Sequence, residues 1–233
     1  MAAAHIDQAP VRRPLRILVC AFGPFPGVPV NPSQLAAADL LRLRRPTLAG
    51  IALHFEALPT RWDALARLDT RLAELAPDAV LLLGVAARRR RISIEQVAEN
   101  AARAAPDVAR RHPAARRLSA TAPGRLVSAV AGSPLAVALR KAGIAAANSQ
   151  DAGRYLCNAS YFHALDWARQ RPAAPPVLFV HLPRRNGRPA GVSRALLARG
   201  LSAVLIVVAA DARRANDHRR KNQAPSTSIR LRP

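Results

Sequence analysis

The sequence is poor in aromatic residues and nearly free of cysteine and methionine. Aromatic side chains make up 4% of its 233 residues, and there are two cysteines and one methionine. Cys20 and Cys157 are far apart in the chain, so they provide neither a disulfide framework nor the spacing of a metal site. The chain therefore fits a reducing, intracellular compartment, in which a free thiol persists.

Acidic residues are also scarce, since 14 Asp and Glu oppose 36 Lys and Arg and give a formal net charge of +22. Such a balance is typical of proteins that bind nucleic acid through phosphate contacts. A composition biased toward alanine and arginine produces it as well. The basic residues are spread along the chain, with runs at 88–91 and 213–221, and no zinc-finger, aromatic RNA-binding or basic-zipper pattern accompanies them. We therefore favour the compositional interpretation and expect no nucleic-acid partner.

Motifs of several large functional classes are missing. There is no Walker-type phosphate loop, no dinucleotide fingerprint, no GxSxG elbow and no HExxH pair. Residues 1–14 lack the apolar stretch of a secretory signal, and the longest apolar run, 201–210, is far shorter than a membrane span. The sequence therefore predicts a cytoplasmic protein with no membrane partner and gives no support for nucleotide or metal binding.

Apolar strands and amphipathic helices alternate along the chain, which is the pattern of an α/β fold. This alternation predicts a single three-layer α/β/α sandwich, over residues 15–210, with a mixed, mostly parallel central sheet. Residues 1–14 are expected to be a flexible segment, and the polar, basic residues 211–233 a disordered tail. Strands are predicted at 15–21, 51–57, 79–84, 92–98, 144–148 and 177–181, and helices from Asn31 to Leu43, from Asp63 to Pro77, and at 135–142, 158–169 and 193–210.

Three residues in this pattern could form a catalytic unit. Cys157 follows the Ala152-Gly153 pair at the predicted start of a helix, where unpaired N–H groups favour a thiolate. His181 ends a buried strand, and in open α/β sheets functional sites gather at that end. Glu95 lies upstream in an apolar segment. Cysteine, histidine and glutamate can serve as nucleophile, base and the group that orients the base.

Taken one at a time, the same residues have simpler explanations. A lone cysteine is usually a small core residue, as we expect for Cys20, and a lone histidine after a strand usually makes a structural hydrogen bond. A lone glutamate such as Glu95 usually lies on a solvated surface. The residue types and their spacing alone therefore leave the function open.

Four segments resemble the pyroglutamyl peptidase I family of cysteine peptidases. Residues 21–27 and 30–33 are similar to the family's GFGPFGG…VNPS, and residues 84–100 are similar to GQAGGR…ITxERVAIN. Residues 149–158 are similar to SxxAGxYxCN, and residues 179–183 to FIHxP. The segments occur in the family's order, at close to its spacings.

The resemblance implies an enzyme that removes N-terminal pyroglutamate from peptides through a thioester, without a metal or cofactor. It makes Cys157 the nucleophile, His181 the general base and acid, and Glu95 the third member of the triad. Whether the protein forms a homo-oligomer is left open. The substrate pocket is expected at Phe22, Phe25, Asn31, Val85, Tyr155 and Arg89. Core packing for the two phenylalanines, and helix capping for Asn31, are the simpler alternatives.

The chain departs from the family pattern near the expected site. The changed positions are Ala21, Pro26, Val85, Arg88, Gln96, Glu99 and Asn148. These changes keep open a first alternative, a family member with weak activity or shifted substrate preference. The basic charge keeps open a second, a nucleic-acid-binding protein without catalysis. Retention of all three triad residues speaks against the second alternative.

Overall fold

The computed structural model describes residues 13–86, 88–183 and 188–223, and within them strands and helices alternate as the sequence predicts. The strands are β1 (Leu15–Phe22), β2 (Ile51–Leu58), β3 (Ala79–Ala86), β4 (Ile92–Glu95), β5 (Val97–Glu99), β6 (Arg125–Val127), β7 (Ala146–Ser149) and β8 (Val177–Pro183). The α-helices are α1 (Pro32–Arg42), α2 (Ala64–Leu75), α3 (Gly132–Lys141), α4 (Leu156–Arg169) and α5 (Arg194–Gln223), and a short 3₁₀ helix covers Pro46–Leu48.

Six strands form the central sheet, in the order β2-β1-β3-β8-β4-β7. The pairs from β2 to β8 are parallel. β4 runs antiparallel to β8 and parallel to β7, so the last two strands point the opposite way. With helices on both faces of this sheet, the predicted three-layer α/β/α sandwich is confirmed. β5 and β6 form a separate antiparallel ribbon.

Each face of the sheet carries its own apolar core, because successive residues of a strand point to opposite faces. One face packs against α1, α3 and α5, and Leu81 and Val180 are among its fully buried side chains. The other face packs against α2 and α4 and includes Leu82 and Phe179. Burial on both faces explains why these strands read as continuous apolar runs.

Local signals fix the starts of the first two helices differently. Asn31 caps α1 with its side chain, which accepts a hydrogen bond from the Ser33 N–H at 3.0 Å, and proline fills the first helical position. Asp63 stands before α2 as predicted, but it makes no capping hydrogen bond. Its carboxylate faces Arg61 and Arg111 instead.

The strand predicted at 92–98 is divided in two. β4 ends at Glu95. The Gln96 N–H still donates to the Ser149 carbonyl of β7, but the Gln96 carbonyl accepts from the Ser128 N–H, which lies outside the central sheet. The chain then enters the ribbon of β5 and β6. This break matters for function because it leaves Glu95 as the last residue of a buried strand.

Helix α5 is longer than predicted. Residues 211–223, expected as part of a disordered tail, are helical. Ala212 is fully buried, and the Asn216 amide donates to the Asp78 carboxylate at 3.0 Å, so the core and a polar contact extend the helix beyond its apolar run. Residues 1–12 and 224–233, for which flexible ends were predicted, lie outside the described residues.

By length and composition alone, α5 could cross a membrane. Its apolar side chains are used in the core of the domain, however. Leu201, Val204, Leu205 and Val208 are fully buried among the residues of the sheet and of α1 and α3. Packing within this domain therefore accounts for the apolar composition of the helix.

Candidate active site

The Cys157 thiol lies at the amino-terminal end of α4, above the central sheet. Tyr155 precedes the helix in extended conformation, and Gly153 has a φ of +81°, which a glycine adopts without strain. The sulfur is 3.1 Å from the position that a Cβ on Gly84 would occupy. The missing side chain at Gly84 therefore leaves the space in which the thiol sits.

His181 stands beside Gly84 on the neighbouring strand, since the two residues are partners in the parallel register of β3 and β8. Its side chain is on the same sheet face as Phe179, and the two rings are 4.6 Å apart. The carboxylate of Glu95 reaches the imidazole diagonally across the β4–β8 pair, with 2.7 Å between His181 Nδ1 and Glu95 Oε1. This contact leaves Nε2 as the nitrogen that is free to accept a proton.

Glu95 is fully buried and held from several sides. Its Oε1 accepts a hydrogen bond from the Arg89 guanidinium as well as the contact with His181, and its backbone carbonyl accepts one from the Tyr161 hydroxyl at 2.9 Å. Arg89 also donates to the Asp151 carbonyl. Within the described residues, Oε2 has no hydrogen-bond partner. The carboxylate is thus fixed by one oxygen, which serves both the arginine and the histidine.

Burial raises the pKa of the Cys157 thiol to about 12, and the negative charge of Glu95 acts in the same direction. Hydrogen bonds from the backbone N–H groups of Cys157 and Val85, and the charge of Arg89, act against this shift but are outweighed. The backbone N–H groups at the helix terminus thus act in the expected direction, but burial outweighs them and the net shift of the thiol pKa is upward. At neutral pH the sulfur carries its proton, and a base must remove it.

A cavity of about 240 Å³ opens beside the thiol. It brings together most of the residues that the sequence predicted for substrate binding. Its predicted members are Phe22, Phe25, Asn31, Val85, Tyr155 and Cys157. Its walls also include residues for which the sequence predicts no contact with substrate: Pro26, Thr60, Pro106, Asp107, Val108 and Leu156.

The first wall is a tight turn at residues 25–28. Phe25 and Val28 exchange backbone hydrogen bonds, and Gly27 has a φ of +75° after a proline, the arrangement of a type II turn. Pro26, a departure from the family pattern, thus fits the turn. Asn31 and Thr60 both donate to the Gly23 carbonyl, at 2.8 and 2.9 Å, and attach this segment to the neighbouring elements.

The second wall is the segment 105–111, which Asp107 holds in place. The Asp107 carboxylate accepts hydrogen bonds from the backbone N–H groups of Trp62, Ala109 and Arg111, at 2.8 to 2.9 Å. Burial opposes ionisation of Asp107, but these donors outweigh it and lower the pKa of the carboxyl. The Tyr155 hydroxyl adds a hydrogen bond to the Pro106 carbonyl at 2.9 Å. Periodicity gives no signal for such a loop, although its Pro-Asp pair indicates a turn.

Arg89 does not line the cavity. Its guanidinium binds Glu95 and the Asp151 carbonyl, and its predicted contact with substrate stays a prediction. Across the described ranges there is no group of three or more His, Cys, Asp or Glu side chains that could hold a metal ion.

Comparison with known proteins agrees with this geometry. The family model described as pyroglutamyl peptidase matches residues 15–191. Pyrrolidone-carboxylate peptidase of Erwinia tasmaniensis is 33% identical over 170 residues, which cover 72% of this chain and 78% of the relative. The protein of the same name from Gloeobacter violaceus is 34% identical over 205 residues and covers 83% of this chain and 97% of its own length.

Solved structures show the same likeness. Pyroglutamyl peptidase I of Bacillus amyloliquefaciens matches 84% of this chain and 97% of its own, with a TM-score of 0.72 and 26% identity. A variant of pyrrolidone carboxyl peptidase from Pyrococcus furiosus has a TM-score of 0.75 and 25% identity, and the match covers 85% of this chain and the whole of the Pyrococcus chain. The resemblance inferred from four short segments is confirmed, and the chain belongs to the pyroglutamyl peptidase family.

Proposed function

We propose that this protein hydrolyses the bond after an N-terminal pyroglutamyl residue of peptides, with Cys157 as nucleophile, His181 as base and acid, and Glu95 as the orienting carboxylate. One observation carries the proposal. The 2.7 Å contact between His181 and Glu95 lies on the sheet face where Gly84, the strand neighbour of His181, makes room for the Cys157 sulfur. A nucleophile, a base and an orienting group thus meet beside an apolar cavity.

The first half of the reaction forms a thioester. Nε2 of His181 takes the thiol proton as the Cys157 sulfur attacks the pyroglutamyl carbonyl carbon, and the carbonyl oxygen becomes an oxyanion. The backbone N–H groups of Cys157 and Val85, which already point at the sulfur, are placed to stabilise that charge. The C–N bond then breaks, and the leaving amine takes the proton from His181.

The second half releases pyroglutamate. Water enters, gives a proton to His181 and attacks the thioester carbon; the C–S bond breaks, and the proton returns to the sulfur. Glu95 keeps Nδ1 of the imidazole protonated and stabilises the charged ring in both halves. Arg89 acts as a positioning residue here, because it shares the oxygen of Glu95 that faces the histidine.

The cavity suits a neutral, flat lactam. Phe22, Phe25 and Tyr155 supply ring surfaces, and the apolar part of the wall is extended by Pro26 and Val108. A lactam ring carries no net charge, so ring contacts and backbone hydrogen bonds recognise it without an ion pair. Asn31 is 2% exposed, and its amide is already bonded to Gly23 and Ser33, so its part is to shape the wall.

The direct test is release of a fluorogenic amine from its pyroglutamyl conjugate. We expect turnover that is lost after thiol alkylation, and no turnover of the matching prolyl conjugate, whose ring carries a charged amine in place of the lactam. Absence of turnover by the folded, reduced protein would exclude the proposal. Because the reaction needs a reduced thiol, we also propose the cytoplasm as the working compartment.

A further inference from the structure

The path of the leaving peptide follows from the proton that its amine must receive. In the proposed reaction that proton comes from His181, so the first residue after the cleaved bond lies next to this ring. His181 is near the carboxyl end of β8, and β3 ends beside it, with Ala86 opposite Pro183. In the proposed reaction the lactam occupies the cavity that Cys157 borders, and His181 is not among the residues that line it. The rest of the peptide therefore leaves past the residues that follow β3.

Those residues are strongly basic. The chain turns after β3, where the Arg89 N–H donates to the Ala86 carbonyl, and Arg88, Arg90 and Arg91 are all exposed. Arg89 is occupied by Glu95. Among the residues that the structure describes, no carboxylate pairs with the other three. Their charges are therefore free to meet those of a ligand.

A second basic pair borders the rim of the cavity. The Arg103 guanidinium lies 5.8 Å from the centre of the Tyr155 ring, and the Arg103 N–H donates to the Arg154 carbonyl at 2.6 Å. Both arginines are exposed, and neither is paired with a carboxylate in the described part of the chain. We call Arg88, Arg90, Arg91, Arg103 and Arg154 the rim arginines, because the first three follow Val85 closely in the chain and the other two adjoin Tyr155, and both Val85 and Tyr155 line the cavity.

Negative charge near the rim arginines is sparse. Glu95 is fully buried between Arg89 and His181, and the Asp107 carboxylate is engaged by three backbone N–H groups. Asp151 is exposed, but one of its oxygens accepts the Gly153 N–H at 2.8 Å. The rim therefore has a local excess of positive charge next to an apolar cavity. Apolar walls of this kind strengthen the local electrostatic potential.

We propose that the rim arginines make this enzyme select peptides whose residues after the pyroglutamyl group are acidic. This inference rests on the proposed function and adds the class of leaving peptide to it. An acidic peptide gains from unpaired guanidinium groups without breaking an existing ion pair, whereas a basic peptide is repelled. The selection acts mainly on kcat/KM, because it favours encounter and binding rather than the chemical step.

The test compares three peptides that share pyroglutamyl-alanine at the start and differ in the next two residues: two glutamates, two glutamines or two lysines. At low ionic strength we expect kcat/KM for the glutamate peptide to exceed that for the lysine peptide by about tenfold or more. At about 0.5 M salt the ratio falls below about threefold, since the charges are then screened.

Two sets of variants locate the effect. The triple variant Arg88→Gln, Arg90→Gln, Arg91→Gln is expected to lower the glutamate-to-lysine ratio at least about threefold. A control with the same loss of charge, Arg213→Gln, Arg220→Gln, Lys221→Gln, changes exposed residues on the last turns of α5. We expect the glutamate-to-lysine ratio of this control to stay at the parent value. Circular dichroism establishes that both variants are folded.

The outcomes separate this inference from the proposed function. Equal cleavage of the three peptides, or preference for lysine, overturns the inference and leaves the proposed function standing. An equal fall of the ratio in both variants also overturns it, because net charge and not the rim would then decide. Failure to cleave any peptide, including the uncharged glutamine one, counts against the proposed function itself.

Discussion

The sulfur of Cys157 lies 3.1 Å from the point where a Cβ on Gly84 would be placed. The same point is 2.6 Å from the Cζ atom of Phe179, closer than side-chain carbons approach one another. β3 is apolar throughout and buried from Ala79 to Gly84, yet it has no side chain where the nucleophile and the phenylalanine ring converge. The bare backbone at Gly84 is thus a requirement of both the core and the site.

A methyl group at this position should damage both. For Gly84→Ala we expect a loss of about 1–3 kcal/mol in the free energy of unfolding, because Phe179 is fully buried and has little room to move. Turnover should fall as well, since the thiol is displaced. Gly124→Ala is the control: the added carbon meets no atom within 4 Å. Denaturant unfolding and kinetics on the pyroglutamyl conjugate measure the two effects, and a fully active Gly84→Ala would contradict the placement of the sulfur.

The two cysteines should behave differently. Cys157→Ser keeps a hydroxyl but loses the nucleophilic sulfur, so kcat should fall by about a thousandfold or more while the fold survives. Cys20 is fully buried in the core, and burial raises the pKa of its thiol. Cys20→Ser should therefore cost stability but leave kcat nearly unchanged. Loss of activity in a folded Cys20→Ser protein would mean that the wrong cysteine has been chosen.

Within the triad, the order of effects should follow the roles. His181→Ala should lower kcat nearly as far as Cys157→Ser, because nucleophile and base act as a unit. Glu95→Gln should cost roughly a hundredfold less, since an amide still accepts a hydrogen bond from the ring but no longer offsets its charge. Kinetics with circular dichroism on each variant provide the comparison. A larger loss for Glu95→Gln than for His181→Ala would reverse the assigned roles.

The loop wall depends on one carboxylate. In Asp107→Asn, a neutral amide replaces a group that accepts three backbone N–H bonds, so the segment 105–111 should loosen. We expect KM for the pyroglutamyl conjugate to rise about tenfold, because hydrogen bonds to a charged acceptor are lost, and we expect a smaller change in kcat. Asp39→Asn serves as the control. Asp39 lies on α1, away from the cavity, and its carboxylate pairs with Arg194 of α5. An unchanged KM in Asp107→Asn would show that the loop does not form the pocket.

Asp78 should make stability depend on pH. Burial opposes its ionisation, but hydrogen bonds from Arg13, the Arg16 N–H and Asn216 outweigh this and lower the pKa of the carboxyl. A lowered pKa means that its contribution is complete above the unfolded-state value, about 3.9, and is lost as the pH falls through the lower folded-state value.

The corresponding variant tests this sign. Asp78→Asn should reduce the free energy of unfolding at pH 7 by about 1.5–3 kcal/mol, and its deficit relative to the parent should shrink at acidic pH. Urea unfolding at pH 7 and at about pH 3 measures both values. Glu74→Gln, which changes a largely exposed side chain, should show no such trend. A deficit that grows on acidification would contradict the assigned shift.

The sequence predicts the architecture well because burial leaves a direct mark on it. Strands buried on both faces appear as apolar runs, and Leu68, Leu72 and Leu75 of α2 repeat at helical spacing. The triad residues were found because family motifs surround them. Periodicity could not show that β4 runs against β8, although this reversal is what brings Glu95 to His181.

The errors have physical causes too. The apolar run predicts that α5 ends at residue 210, whereas Ala212 and Asn216 are fixed by long-range contacts that leave no local pattern. Thr60 and Val108 reach the cavity from loops for the same reason. The upward shift of the Cys157 pKa could not be predicted, because a helix terminus is visible in a sequence and the extent of burial is not.

The contacts of Asp78 bring Arg13, the first described residue, close to Asn216 in the last turns of α5. Arg13 and Asn216 both bind this one carboxylate, which precedes β3, whereas the thiol lies near the strand's other end. A fusion partner or surface tether attached near either of these residues would therefore stand at the corner of the domain opposite the catalytic edge. The same closeness suits a circularly permuted chain, in which a short linker joins the last turns of α5 to Arg13 and a new opening is made in an exposed loop.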